Sequence, residues 1–506
     1  MLASFVAALD QTVVATSLPS IVSDLGGLTH LSWVVTAYVL SISVSTPLHG
    51  KLGDLFGRKR LMQFALAAFL VGSLLCGVAH GMTELVFFRA LQGIGASGMI
   101  VNSQAIIGDL IPPAERGPYQ GYMQSSFALA TITGPLIGGF LTQHLGWRWV
   151  FYINVPVCAV ALLTLTIRLT ATPHRRQARH IDWLGAGLLS SGVTALVLVV
   201  SWGGNTFPWG SPELLCLAGA AALLLTCFFF IESRSPEPVL PLRLFRNEVI
   251  RLTTPLAFVA GFATLGGTTF VPLFLQTVHG ATPTASGLRM IPMWLAWGLS
   301  SALCGRFISA TGHYRRLPVT GTFLLGCGLL SFSFQGATTS YALLAVTLVV
   351  IGAGLGMNSS VLVLAAQNAA APEDLGVATS TTTFSRTIGA SFGVSVLGAI
   401  YSNVLVDGLR KSVSTDAVDR FSEKGAGIAG SDLASVEPQL RVEFARASES
   451  ALHHVFVSGA MVAFVASLIA LRVRELPLRR RRTQGGGKGT NLERGGGDAL
   501  GNSSSR

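Results

Sequence analysis

Charged residues are scarce in this chain of 506 residues: they make up 12% of it, whereas 50% of its residues are hydrophobic. Soluble globular domains usually carry about twice that share of charge. The composition therefore excludes an ordinary soluble domain. A mean hydropathy of +0.58 indicates instead a protein that crosses a membrane several times.

Motifs of catalysis and of metal binding are also missing. The six cysteines form no C-x-x-C pair, so neither a disulfide framework nor a metal site is expected. The sequence contains no Walker motif, no H-E-x-x-H and no nucleophile elbow. We therefore expect neither an enzyme nor a cofactor, and we expect a proton gradient rather than ATP to supply the energy for any transport.

Bases outnumber acids by 35 to 24, which gives a net charge of +11. These bases do not form one patch but lie between apolar segments, as in membrane proteins that keep Lys and Arg on the cytoplasmic side. The intervening short segments 203–212 and 277–283 contain neither Lys nor Arg. We expect a protein of the inner (cytoplasmic) cell membrane, surrounded by lipid, with both termini cytoplasmic and no nucleic-acid partner.

The apolar segments predict an all-α, polytopic protein with about fourteen transmembrane helices, because a spanning helix needs about 20 mostly apolar residues. The first six begin near Met1, Leu31, Leu61, Thr83, Tyr119 and Trp147. Two more run roughly from Asp182 to Ser201 and from Glu213 to Ile231, and the last six begin near Ile250, Thr284, Leu317, Tyr341, Thr379 and Ala451.

This count divides the chain into four parts. Residues 1–170 are expected to form a six-helix bundle, 171–249 two inserted helices with their linkers, and 250–475 a second six-helix bundle with an extracellular loop at 402–450. Residues 476–506 are expected to form a disordered, basic and Gly-rich cytoplasmic tail. A loose repeat supports the two bundles, because the glycine- and arginine-containing segment 305–316 follows its second helix as segment 50–60 follows the second helix of the first bundle.

The most informative short segment is GKLGDLFGRKR at 50–60, which places one acid and four bases between two apolar segments. Charges at this density are too costly for the hydrocarbon core, so the segment predicts a cytoplasmic turn. It resembles the signature between the second and third helices of the major facilitator superfamily. The matching residues are Gly50, Gly53, Asp54, Gly57, Arg58 and Arg60. The resemblance implies a loop whose ion pairs change as two halves of a transporter rock; an ordinary basic turn is the alternative.

Asp10 is an acid inside the first apolar segment, in the stretch LDQTVVATSLP at 9–19. Ionisable residues in such segments mark functional sites by default. The stretch is similar to a signature of the fourteen-span drug:proton antiporter family within that superfamily, and this implies proton handling by Asp10. Arg89, in FFRALQGIG, resembles the superfamily's fourth-helix motif and lies at a depth from which it can reach Asp10. We expect the two to pair, and a permanent structural ion pair is the alternative.

The fifth apolar segment resembles the antiporter motif G-x8-G-x3-G-P-x2-G-G. The matching residues are Gly121, Ala130, Gly134, Pro135, Gly138 and Gly139, and Ala130 replaces one glycine of the motif. The Gly-Pro pair is expected to kink the helix, and the glycines are expected to form a flat face for the opposite half. The resemblance implies an exporter that exchanges its substrate for protons, and a simple packing kink is the alternative.

Several other residues in the apolar segments are candidates for the wall of a substrate cavity. They are Gln124, Phe127, Arg289, Trp294 and Gln367. Arg289 is placed within the tenth helix, and Arg386 is expected to be mainly a structural partner at the cytoplasmic end of the thirteenth. No acid except Asp10 lies securely in mid-membrane, which favours neutral, weakly cationic or amphipathic compounds over dications.

Together these features predict a proton-coupled exporter of small hydrophobic or amphipathic compounds, such as drugs and antibiotics, that works by alternating access. Two alternatives remain open: a dedicated exporter of one endogenous metabolite, and a membrane receptor or assembly subunit that transports nothing. Protons, lipid and a small hydrophobic compound are the expected partners. The segment 402–450 leaves room for a periplasmic or extracellular adaptor protein.

Overall fold

A computed structural model describes residues 1–26, 31–169, 182–204, 206–412 and 438–478. Within these ranges the chain is helical and forms no β-strand beyond one isolated bridge between Gly203 and Phe207. The predicted tail from 479 onward and the middle of the predicted 402–450 loop lie outside the described residues.

The described helices are numbered α1 to α16 along the chain. They are α1 (Leu2–Leu25), α2 (Leu31–Phe56), α3 (Arg58–Val78), α4 (Met82–Leu110), α5 (Arg116–His144), α6 (Trp149–Tyr152), α7 (Asn154–Arg168), α8 (Trp183–Trp202), α9 (Pro212–Glu232), α10 (Glu248–Thr277), α11 (Pro283–Arg289), α12 (Ile291–Thr311), α13 (Arg316–Ser333), α14 (Tyr341–Ala369), α15 (Leu375–Ser412) and α16 (Pro438–Ala470).

Most of these helices are apolar on nearly all sides, which is expected where lipid rather than water surrounds the protein. Among the described residues, eleven helical segments are long and apolar enough to cross a membrane. They fall at eleven of the fourteen predicted positions. Helices α2, α12 and α13 occupy the other three.

Three predicted boundaries differ from the observed ones. Helix α15 continues to Ser412 and α16 already begins at Pro438, so both ends of the predicted 402–450 loop are helical. Proline is well tolerated in the first turn of a helix, and Glu443 pairs with Arg446 one turn later on α16 at 2.9 Å. The tenth predicted helix is interrupted at Met290, because Pro292 has no backbone N–H with which to continue the preceding turn.

The helices pack in two sets joined by a hairpin. In the first set, α1 to α7, helix α1 packs on α5, and α2 and α3 pack on α4. In the second set, α10 to α16, α10 packs on α15 and α12 on α14, while α13 contacts both α14 and α16. The hairpin of α8 and α9 lies against α2 and α15, where Ser395 Oγ donates to the carbonyl oxygen of Val200 at 2.6 Å.

The two sets meet along α5 with α12 and along α2 with α15. Small residues permit the first contact: Gly117 and Gly305 face each other so closely that neither has room for a Cβ. The same holds for Gly50 against Ser380 in the second contact. Close approach of backbones at small residues is how membrane helices associate, since lipid gives no hydrophobic driving force between them.

Candidate functional site

Asp10 is the centre of a buried polar site in the first helix set. Its Oδ2 accepts a hydrogen bond from Nη1 of Arg89 at 2.5 Å, and this contact is also an ion pair. Its Oδ1 accepts from Nε2 of Gln92 and from Nδ2 of Asn154, both at 2.8 Å. All four side chains are buried, so both carboxylate oxygens are paired with donors away from solvent.

Arg89 is held in place from several sides. Its Nε donates to the carbonyl oxygen of Val34 at 3.3 Å, and its Nη1 also donates to Oε1 of Gln92 at 2.6 Å. The guanidinium carbon lies 4.0 Å from the centroid of the Tyr38 ring, in cation–π geometry. The Tyr38 hydroxyl in turn donates to the carbonyl oxygen of Ala7 on α1 at 3.1 Å. Arg89 therefore links α4, α2 and α1.

This arrangement can couple a movement to a proton. A buried carboxylate is stable as an anion when it has a counter-ion and hydrogen-bond donors, and Asp10 has both. If Arg89 moved away, Asp10 would keep only the two neutral amide donors of Gln92 and Asn154. An isolated buried charge is then so costly that uptake of a proton is the favoured outcome.

The predicted pairing of Asp10 with Arg89 is therefore present, and the site also contains residues that the sequence analysis missed. These are Gln92, Asn154 and Ser73, whose Oγ accepts from Nε2 of Gln92 at 2.7 Å. The sequence could have identified Gln92, because it follows Arg89 by three positions and so lies on the same helix face. No sequence pattern identifies Asn154, because it lies on α7, 144 residues away from Asp10 in sequence.

The segment 50–60 was predicted to be a turn, and most of it is instead helical. Residues 50–56 end α2 and residues 58–60 begin α3, so only Gly57 separates the two helices. Gly57 has a φ of 91°, which a residue with a side chain adopts only with strain. Arg60 is exposed, whereas Asp54 and Arg58 are buried and form an ion pair within the segment.

Asp54 also joins the first helix set to the second. Its Oδ1 accepts from the backbone N–H of Gly376 at 3.1 Å and its Oδ2 from that of Val377 at 2.9 Å. These two N–H groups belong to the first turn of α15, where backbone donors lack partners inside the helix and favour a negative charge. Arg58 Nε reaches Asp109 on α4 at 3.2 Å. The segment thus holds the ends of α2, α4 and α15 together.

A layer of amide and hydroxyl side chains lies beside this contact. Nε2 of Gln367 donates to the carbonyl oxygen of Gln104 at 3.1 Å and to Oγ1 of Thr379 at 3.0 Å. Oε1 of Gln367 accepts from Gln120 at 3.4 Å, and Thr383 donates to Oε1 of Gln104 at 3.3 Å. We call these five residues the glutamine layer. Together with Asp54 it closes the gap between the two helix sets at the end that carries segment 50–60.

The sequence predicts that the glycines of α5 face the opposite helix set. Only some of them do so. A Cβ on Gly134 would collide with Thr12, and one on Gly138 would come within 2.8 Å of the carbonyl oxygen of Val13, so both glycines face α1 of their own set. Gly121 does face the other set, where a Cβ would come within 2.6 Å of the carbonyl oxygen of Ser301. Gly139 has open space around it.

The face of α5 that meets α1 lies directly beside the Asp10 site. Oγ1 of Thr12, two residues after Asp10, lies 3.2 Å from the carbonyl oxygen of Ala130 on α5 and 3.0 Å from that of Leu9 on its own helix, so its hydroxyl contacts both helices. Ala130 is buried, while Pro135 is exposed within the same helix. The motif on α5 therefore fixes the helix that carries Asp10, and this relationship was not expected from the sequence.

The proposed cavity residues are not gathered at one place. Gln367 belongs to the glutamine layer, and Nε2 of Gln124 reaches the carbonyl oxygen of Ser359 at 3.5 Å across the two sets. Phe127 packs in the core of the first set, and Trp294 packs in that of the second. Arg289 ends the short helix α11, with its guanidinium carbon 5.9 Å from the Tyr341 ring centroid, and so lies outside α12.

Arg386 occupies a different position from the one expected. It lies within α15, well beyond the first turn of that helix. In the described part of the chain it forms neither a hydrogen bond nor an ion pair, so the expected structural partner is not seen there. It lines a narrow cavity between α10, α14 and α15.

No metal centre is formed by the described residues, since none of their His, Cys, Asp and Glu side chains form a group of three or more that could hold an ion. Around Asp10 and Asp54 the buried polar groups are instead paired with one another across helices. Two packed sets of membrane-spanning helices, with a buried ion pair in one set and a polar closure between the sets, define the class of protein: a polytopic helical membrane protein with the two-bundle architecture of transporters.

The chain belongs to the Major Facilitator Superfamily, whose family model matches residues 1–394. An MFS-type transporter of Mycobacterium tuberculosis is 41% identical over 475 residues, which are 94% of this chain and 68% of that protein. The multidrug transporter protein MdtP of Bacillus subtilis is 36% identical over 415 residues, 81% of this chain and 76% of that one. The efflux pump FUS6 of Gibberella fujikuroi is 32% identical over 411 residues, covering 79% of this chain and 74% of its own.

Solved structures agree with the fold. The human organic anion transporter MFSD10 superposes with a TM-score of 0.61 at 15% identity, covering 91% of this chain and 97% of that chain. The proton:xylose symporter XylE gives the same TM-score and identity, with 94% of both chains covered. At this identity the similarity concerns the architecture alone.

Proposed function

We propose that this transporter is a proton-coupled antiporter that exports small hydrophobic or amphipathic compounds across the cytoplasmic membrane. The observation that carries the proposal is the buried pair of Asp10 and Arg89, in which each oxygen of Asp10 is bound by a donor from another helix. A multidrug transporter and an efflux pump among the relatives support export as the direction of transport.

The mechanism is alternating access between the two helix sets. Segment 50–60 faces the cytoplasm in this proposal, and both termini lie on that side. The described conformation, closed by Asp54 and the glutamine layer at that end, is then the one that releases substrate outward. Opening toward the cytoplasm requires the Asp54 contacts with α15 to break and the glutamine layer to separate.

Coupling follows from the linkage between Asp10 and its neighbours. Movement of α4 or α1 as the closed cytoplasmic end opens would draw Arg89 from Asp10, and Asp10 would then take up a proton. Return of Arg89 would displace that proton. Because Thr12 ties α1 to α5 at Ala130, and α5 contacts α12 of the other set, rocking of the two sets reaches the Asp10 site through α5.

Proton movement by the purified protein in liposomes tests this proposal. A panel of lipophilic drugs is added, and proton release or uptake is recorded for the native protein, for Asp10→Asn and for Asp24→Asn. Asp24 is the matched control, because it lies on the same helix but forms a half-exposed ion pair with Arg148. Drug-induced proton movement should persist in the native protein and in Asp24→Asn and disappear in Asp10→Asn.

The other outcomes separate the alternatives. Equal proton movement in Asp10→Asn and the native protein would show that Asp10 is not the coupling residue. Proton movement with an endogenous metabolite and with none of the drugs would identify a dedicated exporter. A native protein that moves protons with no compound would favour the receptor or assembly subunit.

A further inference from the structure

A narrow cavity lies in the middle of the second helix set. Its lining includes Ala260 and Thr264 from α10, Asn358 and Ser359 from α14, and Thr382 and Arg386 from α15. Arg386 is about 16 Å along α15 from its first residue, and Asn358 is about as far from the last residue of α14. Both therefore lie deep within the transmembrane region, far from the ends of their helices.

Most hydroxyl groups around this cavity already form hydrogen bonds within the protein. Thr264, Ser359 and Thr382 donate to carbonyl oxygens of their own helices, at 2.6, 2.8 and 3.0 Å. Asn358 donates its Nδ2 to the carbonyl oxygen of Gly354 at 3.1 Å, but its buried Oδ1 has no partner. The cavity therefore offers one free acceptor among its neutral groups.

Arg386 supplies the free donors. In the described residues no acid forms an ion pair with it, and none of its five N–H groups is hydrogen-bonded. A cation in this position is costly unless an anion accompanies it, and a planar guanidinium matches the two oxygens of a carboxylate. The surrounding wall is otherwise apolar, with Ala257, Leu362 and Val363 beside the polar groups.

We propose that this cavity binds the acidic group of a monoanionic amphipathic compound: the carboxylate or enolate pairs with Arg386, and a hydroxyl or N–H of the same compound donates to Asn358 Oδ1. The proposal deepens the proposed function by naming a substrate class, and it rests on that function only for the direction of transport. Equilibrium binding does not depend on coupling to protons.

The boundary of the cavity also fits an alternating-access site. Gln124 of the first set reaches the carbonyl oxygen of Ser359, a cavity residue of the second set, through a long hydrogen bond of 3.5 Å. Separation of the two sets would break this contact and open the cavity toward the space between them. In the described conformation the cavity has a volume of about 10 Å³, room for about one water molecule, so a ligand can enter only when the two sets separate.

Binding of 1-pyrenebutyrate, a fluorescent amphipathic carboxylate, and of its neutral methyl ester tests the proposal directly. Protein in phosphatidylcholine nanodiscs is titrated with each compound, and energy transfer from tryptophan to pyrene reports binding. The native protein should bind the acid more tightly than the ester. Arg386→Gln should weaken binding of the acid by about tenfold or more and leave the ester unchanged, and Arg386→Lys should retain part of the preference.

Two further variants keep the test decisive. Asn358→Asp places a carboxylate in the cavity, where it should pair with Arg386 and abolish the preference for the acid without removing the arginine. Arg251→Gln is the matched control, because Arg251 is an exposed arginine on α10 that does not line the cavity. It should bind both compounds as the native protein does.

Specific results would overturn the proposal. Equal binding of acid and ester by the native protein would do so, as would an unchanged preference for the acid in Arg386→Gln or Asn358→Asp. If binding of the acid were weaker in phosphatidylglycerol nanodiscs than in phosphatidylcholine for the native protein, and Arg386→Gln showed no such dependence on lipid, the cavity would be assigned to a lipid headgroup. Unchanged proton coupling in Asp10→Asn would contradict only the proposed function and would leave the binding result as it stands, so the two failures can be told apart.

Discussion

The carboxylate of Asp54 and the backbone N–H of Val377, 323 residues apart in sequence, form a hydrogen bond of 2.9 Å that joins α2 to the start of α15. Gly376 adds a second backbone donor to the same carboxylate. A negative charge at this position satisfies N–H groups that the helix itself leaves without partners. The closed end of the transporter is thus held by one side chain of the first set and by backbone of the second.

Asp54→Asn should weaken the closure at this end. The asparagine side chain has one acceptor oxygen and no charge, so it cannot accept from both Gly376 and Val377 as the carboxylate does. We expect the closed conformation to lose about 1 to 3 kcal/mol relative to the open one. Alkylation of a Ser380→Cys probe in a cysteine-free background measures this, because Ser380 is buried against Gly50 while the two sets are in contact.

Asp109→Asn is the matched control for this prediction. Asp109 also accepts from Arg58, at 3.2 Å, but it lies on α4 and is partly exposed. Its loss should change the alkylation rate of the probe far less than Asp54→Asn does. Equal rates for the two variants would mean that the charge around Arg58, rather than the contact with α15, holds this end closed.

The ion pair of Asp10 and Arg89 should also contribute to the free energy of unfolding of the protein. Asp10→Asn leaves the buried Arg89 without its counter-ion, so we expect a loss of about 3 to 5 kcal/mol. The double variant Asp10→Asn with Arg89→Gln removes both charges and should recover part of that loss. Thermal unfolding of the purified protein in detergent provides the comparison.

An exposed pair on the same helix provides the reference for that experiment. Asp24→Asn removes a half-exposed partner of Arg148, and exposed ion pairs contribute little to stability because water screens them. If Asp10→Asn were no more destabilising than Asp24→Asn, the buried pair would not have the energetic role assigned to it here. A double variant less stable than Asp10→Asn would contradict the same interpretation.

The sequence predicts the ion pair but not its surroundings, and the reason is physical. An acid and a base inside apolar segments must find each other, so Asp10 and Arg89 could be matched by depth alone. Nothing comparable identifies the backbone of Gly376 and Val377 as partners of Asp54, because backbone donors are present at every residue. Tertiary packing alone selects the helix end that meets the carboxylate.

The glycines of α5 show the same limit in another form. Their spacing predicts a close helix contact, which is present, but spacing does not state which neighbour makes the contact. Gly134 and Gly138 face α1, while Gly121 faces α12 about four to five turns earlier. One motif therefore serves both sides of α5, and its directional meaning stays a prediction.

A pair of adjacent glycines on α5 allows a sharp test of the contact with α1. Gly138→Ala places a Cβ 2.8 Å from the carbonyl oxygen of Val13, a backbone atom that cannot turn aside. Either helix must shift, at a cost of about 1 to 3 kcal/mol, and drug export should fall because the shift reaches the Asp10 site. Export measured at equal protein level, together with thermal unfolding, checks this.

Gly139→Ala is the control, because a Cβ there meets nothing within 4 Å. We expect its export to equal that of the native protein and its stability to be unchanged or slightly higher, since alanine favours a helix more than glycine does. A similar loss of export in both variants would show that α5 needs flexibility at this position rather than close contact with α1.

Gln367→Ala should loosen the glutamine layer. The substitution removes donors to the carbonyl oxygen of Gln104 and to Thr379, as well as the acceptor for Gln120. Nε2 of Gln120 then becomes a buried donor without a partner, and the carbonyl oxygen of Gln104 and Oγ1 of Thr379 each lose one donor in the closed conformation. Water can reach all three once the sets separate. The Ser380→Cys probe should therefore react faster.

Gln335→Ala serves as the control, because Gln335 is equally buried but donates only to Thr347 within the second set, at 2.7 Å. Faster alkylation in Gln335→Ala as well would show that general loosening, rather than loss of the layer, exposes the probe.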